Sequence, residues 1–437
     1  MVRRAFVMLI LLGLLAVGVR GLAVDKRAAQ GRDAGPSWPQ WRGPQRDGIS
    51  SDTGLLSQWP EGGPPLAWRA RGMGRGFSSV SIADNRIFSM GDRDDGQYVV
   101  ALKLSDGSPL WSVRIGDSWD PGGYSGPRCT PTVDGKYVYA LSTGGDLVCL
   151  TAGAGRIVWH RSLPRDFGGR MHSSWGFSES PLVDGNQLVC TPGGPDAGMV
   201  ALNKKTGNEI WRCAIGNLGA NGADGAAYSS MVISTGAGVR QYVQLMGRGV
   251  VGVRANDGEF LWGYNRIANR TANIPTPLVR DDYVFCSTGY GSGAALLQLK
   301  RAGNGVEANE VYFLDANKLQ NHHGGMIMLG DYVYCGHGHK KGAPTCLEWK
   351  TGNIAWRKNR GPGADSAAVA YADGNLYFRY QNGVMALIGA TPEKYEEHGV
   401  FHIPESTQPS WPHPVIAGGK LYLREQDDLF CYDVRKK

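Results

Sequence analysis

One eleven-residue pattern recurs along this chain and limits what it can fold into. It reads ALKLSDGSPLW at 101–111, CLTAGAGRIVW at 149–159, ALNKKTGNEIW at 201–211, GVRANDGEFLW at 252–262 and CLEWKTGNIAW at 346–356. In each copy the first residue is small, the seventh is glycine (Gly107, Gly155, Gly207, Gly258, Gly352) and the eleventh is tryptophan (Trp111, Trp159, Trp211, Trp262, Trp356). A central glycine supplies the positive φ of a tight turn. The pattern therefore predicts a hairpin of two strands, with the tryptophan packed over the small residue.

Weaker copies fill the gaps: NEVY puts Tyr312, HGVF puts Phe401 and LAWRA puts Trp68 in the tryptophan position. The marks then fall at 68, 111, 159, 211, 262, 312, 356 and 401, between 43 and 52 residues apart. Between them a second strand pair recurs, as in TPTVDGKYVYA (130–140), SPLVDGNQLVC (180–190) and TPLVRDDYVFC (276–286). Four strands per unit of this length, repeated eight times, predict an all-β chain folded as an eight-bladed propeller. The 64 glycines and 13 tryptophans, with 19% charged residues, agree with short strands and tight turns.

The two ends are complementary. The chain stops on LFCYDVRKK, the first half of the motif, while LAWRA is its second half. The strand around Trp68 is therefore expected to complete the last blade and leave no open sheet edge. The expected boundaries are a leader at 1–23, an irregular N-terminal strap at 24–65 and the propeller at 66–437.

Residues 1–23 read as a secretory signal, with Arg3 and Arg4 before an apolar run from Ala5 to Val19 and small residues at Gly21 and Ala23. The mature chain is expected to be exported to the periplasm or beyond, without a transmembrane segment, and to act as a monomer. The formal charge is +7, but Lys and Arg are scattered with no basic block, which argues against nucleic acid as a partner. The eight cysteines follow the repeat: Cys149, Cys346 and Cys431 fill the small slot, and Cys190, Cys286 and Cys335 fill the place that Ala140 holds elsewhere. These six are expected to be buried apolar residues rather than a disulfide framework; Cys129 and Cys213 lie outside the slots.

The eleven-residue element resembles the tryptophan-docking motif of the pyrroloquinoline-quinone (PQQ) repeat family of eight-bladed propellers, over about residues 66–437. WPQWRGPQRDGIS (38–50), WGFSESPLVDG (175–185) and HHGGMIMLGDYVY (322–334) look like the PQQ-like repeat proteins abundant in planctomycete-type bacteria. The resemblance implies the fold. For function it implies two classes, quinoprotein dehydrogenases and non-catalytic propellers such as the scaffold subunit of the outer-membrane β-barrel assembly machinery. The dehydrogenases typically carry a vicinal disulfide, and no Cys-Cys pair occurs here. Quinone chemistry also needs a calcium ion held by carboxylate and amide oxygens and a carboxylate base. Glu179, Asn273 and Asp365 offer such oxygens without matching a recognised set.

The first expectation is thus a non-catalytic binding or scaffold module of the cell envelope, with a protein, peptide or glycan partner, no catalytic residues and no cofactor. The alternative is a PQQ- and calcium-dependent dehydrogenase acting on alcohols or a polymer. The loops that follow each tryptophan strand ring one mouth of the channel, and from these Arg128, Trp175, Glu179, Tyr228, His323, Asp365 and His413 are the candidate binding residues. No metal site is expected: His322, His323, His337 and His339 are candidate ligands, imidazoles being good donors to zinc, copper or nickel, but no carboxylate completes the set nearby. GRGVVG (247–252) matches a dinucleotide fingerprint but opens no helix, and GFSES (176–180) lacks the last glycine of a nucleophile elbow; both read as turns leading into strands. WPQWRGPQRDGIS contains no histidine and a single acid, Asp47, before Gly48. It is expected to clamp the propeller, Trp38 and Trp41 burying apolar surface and Arg42 and Arg46 donating to strand-end carbonyls.

Overall fold

Eight antiparallel four-stranded sheets follow one another around a ring. The computed structural model describes residues 35–120, 124–406 and 409–436, so the leader expected at 1–23 lies outside the described residues. Blades 1 to 7 span 81–116, 132–162, 182–213, 232–264, 278–314, 321–357 and 367–402, each built in chain order from the innermost strand outward. Blade 8 takes three strands from 415–433 and its outermost from Leu66–Ala70, with Trp68 opposite Cys431 and Ala70 opposite Leu429. The closure expected from the two half-motifs is therefore present. One short helix, Leu163–Phe167, interrupts the β-structure, and among the described residues no helix is long and apolar enough to cross a membrane.

The motif works across blades as well as within one. Inside a blade the aromatic residue faces its small partner across the hairpin: Trp111 opposite Ala101, Trp159 opposite Cys149, Trp211 opposite Ala201, Trp262 opposite Gly252 and Trp356 opposite Cys346. At five of the eight seams the ring in this position then lies on the turn glycine of the next blade. A Cβ on Gly107 would stand 2.7 Å from Trp68, one on Gly155 2.8 Å from Trp111, and one on Gly207 2.8 Å from Trp159. Gly258 meets Trp211 in the same way, and Gly352 meets Tyr312. These glycines have φ between 67° and 76°, so both the turn and the docked ring exclude a side chain. Indole N–H groups add the bond that a buried tryptophan needs: Trp111 donates to Ala152 O at 3.0 Å, Trp159 to Lys204 O at 3.0 Å and Trp356 to Thr391 O at 2.8 Å. All eight cysteines are free and buried.

Blade 8 has no turn between its third and fourth strands, because these come from opposite ends of the chain. The N-terminal segment fills that gap. Leu56 N donates to Val434 O and Asp433 N to Pro65 O, while Gly63 (φ 82–94° with its neighbour Gly62) lies against Phe401 as the turn glycines lie against tryptophan elsewhere. Trp59 packs edge-on against Phe401 at 5.1 Å and Tyr377 at 5.8 Å. The seam between blades 8 and 1 is sealed by buried Arg424, which donates to Gly74 O at 2.6 Å and to Ser89 Oγ at 3.0 Å.

Residues 35–53 do not wrap the rim; they cross the channel. Trp38 bridges Ile82 of blade 1, Pro39 O accepts from Val133 N of blade 2, and Ser50 N donates to Tyr371 O of blade 7. Arg46 donates to Ser180 O at 2.6 Å and Pro181 O at 3.2 Å beside blade 3, and Arg42 donates to Met326 O of blade 6. Both arginines are 3% exposed and take left-handed backbone (φ 59° and 57°), a conformation that the surrounding bonds must hold. Starting the chain at Arg71 removes a paired strand, a docked indole and this plug. The truncated protein is expected to aggregate, and Trp68→Ala alone to cost about 3 kcal/mol of stability in denaturant titration; an unchanged melting temperature for the truncated monomer would contradict the closure.

Candidate functional site

In an antiparallel four-stranded blade, the loop after the outermost strand and the turn between the second and third strands emerge on the same face. At this face the plug leaves a cavity of about 420 Å³ above itself. Trp41 and Arg42 of the plug form part of its lining. Interblade loops contribute Phe77, Tyr124, Arg128, Trp175, Tyr228, Thr271, Thr276, Trp411 and His413; the innermost strand of blade 6 contributes His322 and His323; the turns within blades 5, 6 and 7 contribute Tyr290, His339, Lys340 and Gln381.

Of the candidate binding residues, Arg128, Trp175, Tyr228, His323 and His413 come together in this lining. Glu179 and Asp365 do not. Glu179 is 2% exposed and accepts from Thr191 N at 2.7 Å and Thr191 Oγ1 at 3.1 Å, and burial pushes its carboxyl up to about 8 against the pull of these bonds and of Arg46. Asp365 occupies a left-handed turn (φ 63°) outside the lining. His323 is not in a loop as expected but in the strand Asn321–Leu329, at a register shift between Asn321 and Met326. Two of the proposed metal ligands lose their freedom: His322 Nδ1 lies 2.7 Å from Ser366 Oγ and its Nε2 2.9 Å from Tyr290 Oη, and His337 Nδ1 accepts from Gln320 N outside the cavity. Among the described residues no group of three or more His, Cys, Asp or Glu is arranged to hold a metal ion.

The lining is aromatic and cationic. Trp41 packs on His413 at 4.5 Å, Tyr124 stacks on Trp411 at 5.0 Å, and Trp175 meets Tyr228 edge-on at 5.8 Å. Arg128 is held by backbone carbonyls of Tyr124 (3.0 Å), Gly126 (3.2 Å) and Trp175 (3.3 Å) and by the face of Phe77 (5.3 Å), rather than by a carboxylate. Burial lowers Arg42 and Arg128 to about 10, which leaves both charged at neutral pH. Lys340 is exposed at the edge. Among the described residues no Asp or Glu lines the cavity.

That donor set does not fit the calcium ion and carboxylate base that the family resemblance implies for dehydrogenases. A hard divalent cation requires several oxygen ligands, usually with carboxylate among them. Asn273, the remaining candidate, is fully buried and spends its amide on Met246 O (3.1 Å) and Gly247 O (3.0 Å). Three cations facing an apolar cup instead favour an anion.

The buried imidazoles are neutral. Burial lowers His323 to about 4 and His322 to about 2, and it puts His413 well below the ordinary value, with Arg42 adding to the effect. A histidine whose folded pKa lies below its unfolded value stabilises the fold above pH 6.5 and loses that contribution as pH falls toward the folded value. The melting temperature is therefore expected to fall steeply between pH 6.5 and 4. His323→Gln, which removes the buried imidazole, should make that fall shallower in scanning calorimetry; an unchanged slope would contradict the assignment.

The family model described as outer membrane protein assembly factor BamB, PQQ_2, matches residues 95–358. No curated protein matches the sequence. Among solved structures, the quinohemoprotein alcohol dehydrogenase of Comamonas testosteroni is similar at a TM-score of 0.63 and 12% identity, over 92% of this chain and 81% of that one. A quinohemoprotein alcohol dehydrogenase of Pseudomonas putida HK5 gives 0.60 and 14%, over 92% and 80%. BamB from Moraxella catarrhalis gives 0.43 and 16%, over 85% and 87%. At these identities the likenesses to the two alcohol dehydrogenases concern the fold alone.

Proposed function

The chain belongs to the PQQ_2 family of β-propellers, and from that premise we propose that it is an exported, non-catalytic binding module of the cell envelope whose channel-mouth cavity takes its ligand. One observation carries the reading: the lining joins aromatic rings to Arg42, Arg128 and Lys340 and, among the described residues, includes no carboxylate. Such a surface has recognition groups in place but, among the described residues, no carboxylate base and no oxygen set for an ion. The plug supports the same reading, since Trp41 and Arg42 form a fixed floor rather than an open passage.

A filled cavity tests the proposal. Thr271→Trp places a large ring at an exposed position of the lining. Immobilised wild-type protein should retain a defined species from a native envelope extract, identified by mass spectrometry, and the variant should retain at least tenfold less with an unchanged melting temperature. Wild type supplied with PQQ and calcium should reduce no artificial electron acceptor above background. Equal retention by both proteins, or dye reduction that depends on quinone and calcium, would overturn the reading.

A further inference from the structure

Resting on that binding reading, we propose that the cavity is built for an acidic oligosaccharide, a short run of hexose rings bearing carboxylate or sulfate groups. Three features of the lining bear on the choice.

The first is charge. Arg42 is 3% exposed, and its Nη1 and Nε have no hydrogen-bond partner; Nη1 lies at Gly325, itself part of the lining. A buried guanidinium with free N–H groups is costly unless a partner completes them; the charge of Asp47 acts on Arg42, yet Nη1 and Nε still make no hydrogen bond. Arg128 and Lys340 add positive charge without a carboxylate among the described lining residues.

The second is the mixture of donors and acceptors. His323 lies within reach of the Gln381 side chain without a well-formed hydrogen bond to it, and His339 Nδ1 is buried and unpartnered. Each neutral imidazole offers one donor and one acceptor, and the Thr271 hydroxyl elsewhere in the lining also does both. A ring bearing many hydroxyl groups can satisfy all of these. A flat aromatic acid would answer the charge but leave the imidazoles unpaired, at the cost that attaches to desolvated polar atoms.

The third is shape. The cavity lies within the ordinary size range for small ligands and takes roughly two sugar rings. The half-buried rings of Trp41, Trp175 and Trp411 provide apolar surface for the C–H faces of those rings.

The test is a titration of the full chain, followed by tryptophan fluorescence and calorimetry, with four probes: digalacturonate, a sulfated disaccharide, an unsubstituted disaccharide and benzoate. Either acidic saccharide should bind saturably and at least tenfold more tightly than the unsubstituted one, and more weakly at high salt. Which of the two binds identifies the anionic group. Lys340→Glu should weaken that binding tenfold or more with the melting temperature unchanged, and Lys340→Arg should preserve it. Equal affinity for the unsubstituted sugar, binding of benzoate alone, or no binding of any probe would overturn the inference. If no saccharide binds while Thr271→Trp still loses its envelope ligand, the glycan assignment fails and the binding reading stands; if Thr271→Trp also changes nothing, both fail.

Discussion

An aromatic ring laid on a glycine of the neighbouring blade is the contact on which the rest of this molecule depends. Each outermost strand would otherwise carry a large exposed aromatic side chain. The motif removes that exposure locally, because the small residue across the hairpin and the turn glycine ahead leave a slot of one indole's thickness. Repetition then makes each blade stable only with its neighbours, so the ring is as sound as its joint. At that joint the chain has no hairpin to offer. Trp68 and Ala70 supply the strand, Gly63 supplies the docking surface for Phe401, and Arg424 ties the seam to blade 1.

The same N-terminal segment shapes the site. Having sealed blade 8, it spans the channel, and its two arginines bond to carbonyls on widely separated blades. These bonds bury two charges without a carboxylate as hydrogen-bond partner, an arrangement that a guanidinium tolerates better than an ammonium because its donors fan out in a plane. The result is a rigid floor that carries positive charge into an aromatic cup.

Much of the architecture was legible in the sequence because a repeat reports the same physics many times. Gly107 or Trp111 alone says little; five aligned copies and two complementary half-motifs leave few alternatives. The interblade half of the contact was not legible, since the eleven residues show only the hairpin they belong to. The site was less readable for a similar reason. Arg128, Trp175, Tyr228 and His413 lie in interblade loops, where the strand order directs attention, and those four line the cavity. Tyr290, Lys340 and Gln381 come from turns inside blades that open on the same face, a consequence of antiparallel geometry that the alternation of strands could have revealed. Trp41 and Arg42 enter from a segment whose path has no repeat to mark it. Glu179 sits beside Trp175 in sequence, yet the bonds to Thr191 hold it inward.

The central claim is that the N-terminal segment is an integral part of the closed ring and the floor of its cavity. Amide hydrogen exchange measures this directly, because the N–H groups of Trp38, Gly48, Ser50 and Leu56 are bonded in the structure to blade 1, within the plug, to blade 7 and to blade 8. The account predicts that these amides exchange as slowly as those of the innermost strands and open with them in one cooperative step. Exchange of all four at the rate of free loop amides, with the blades still protected, would contradict it.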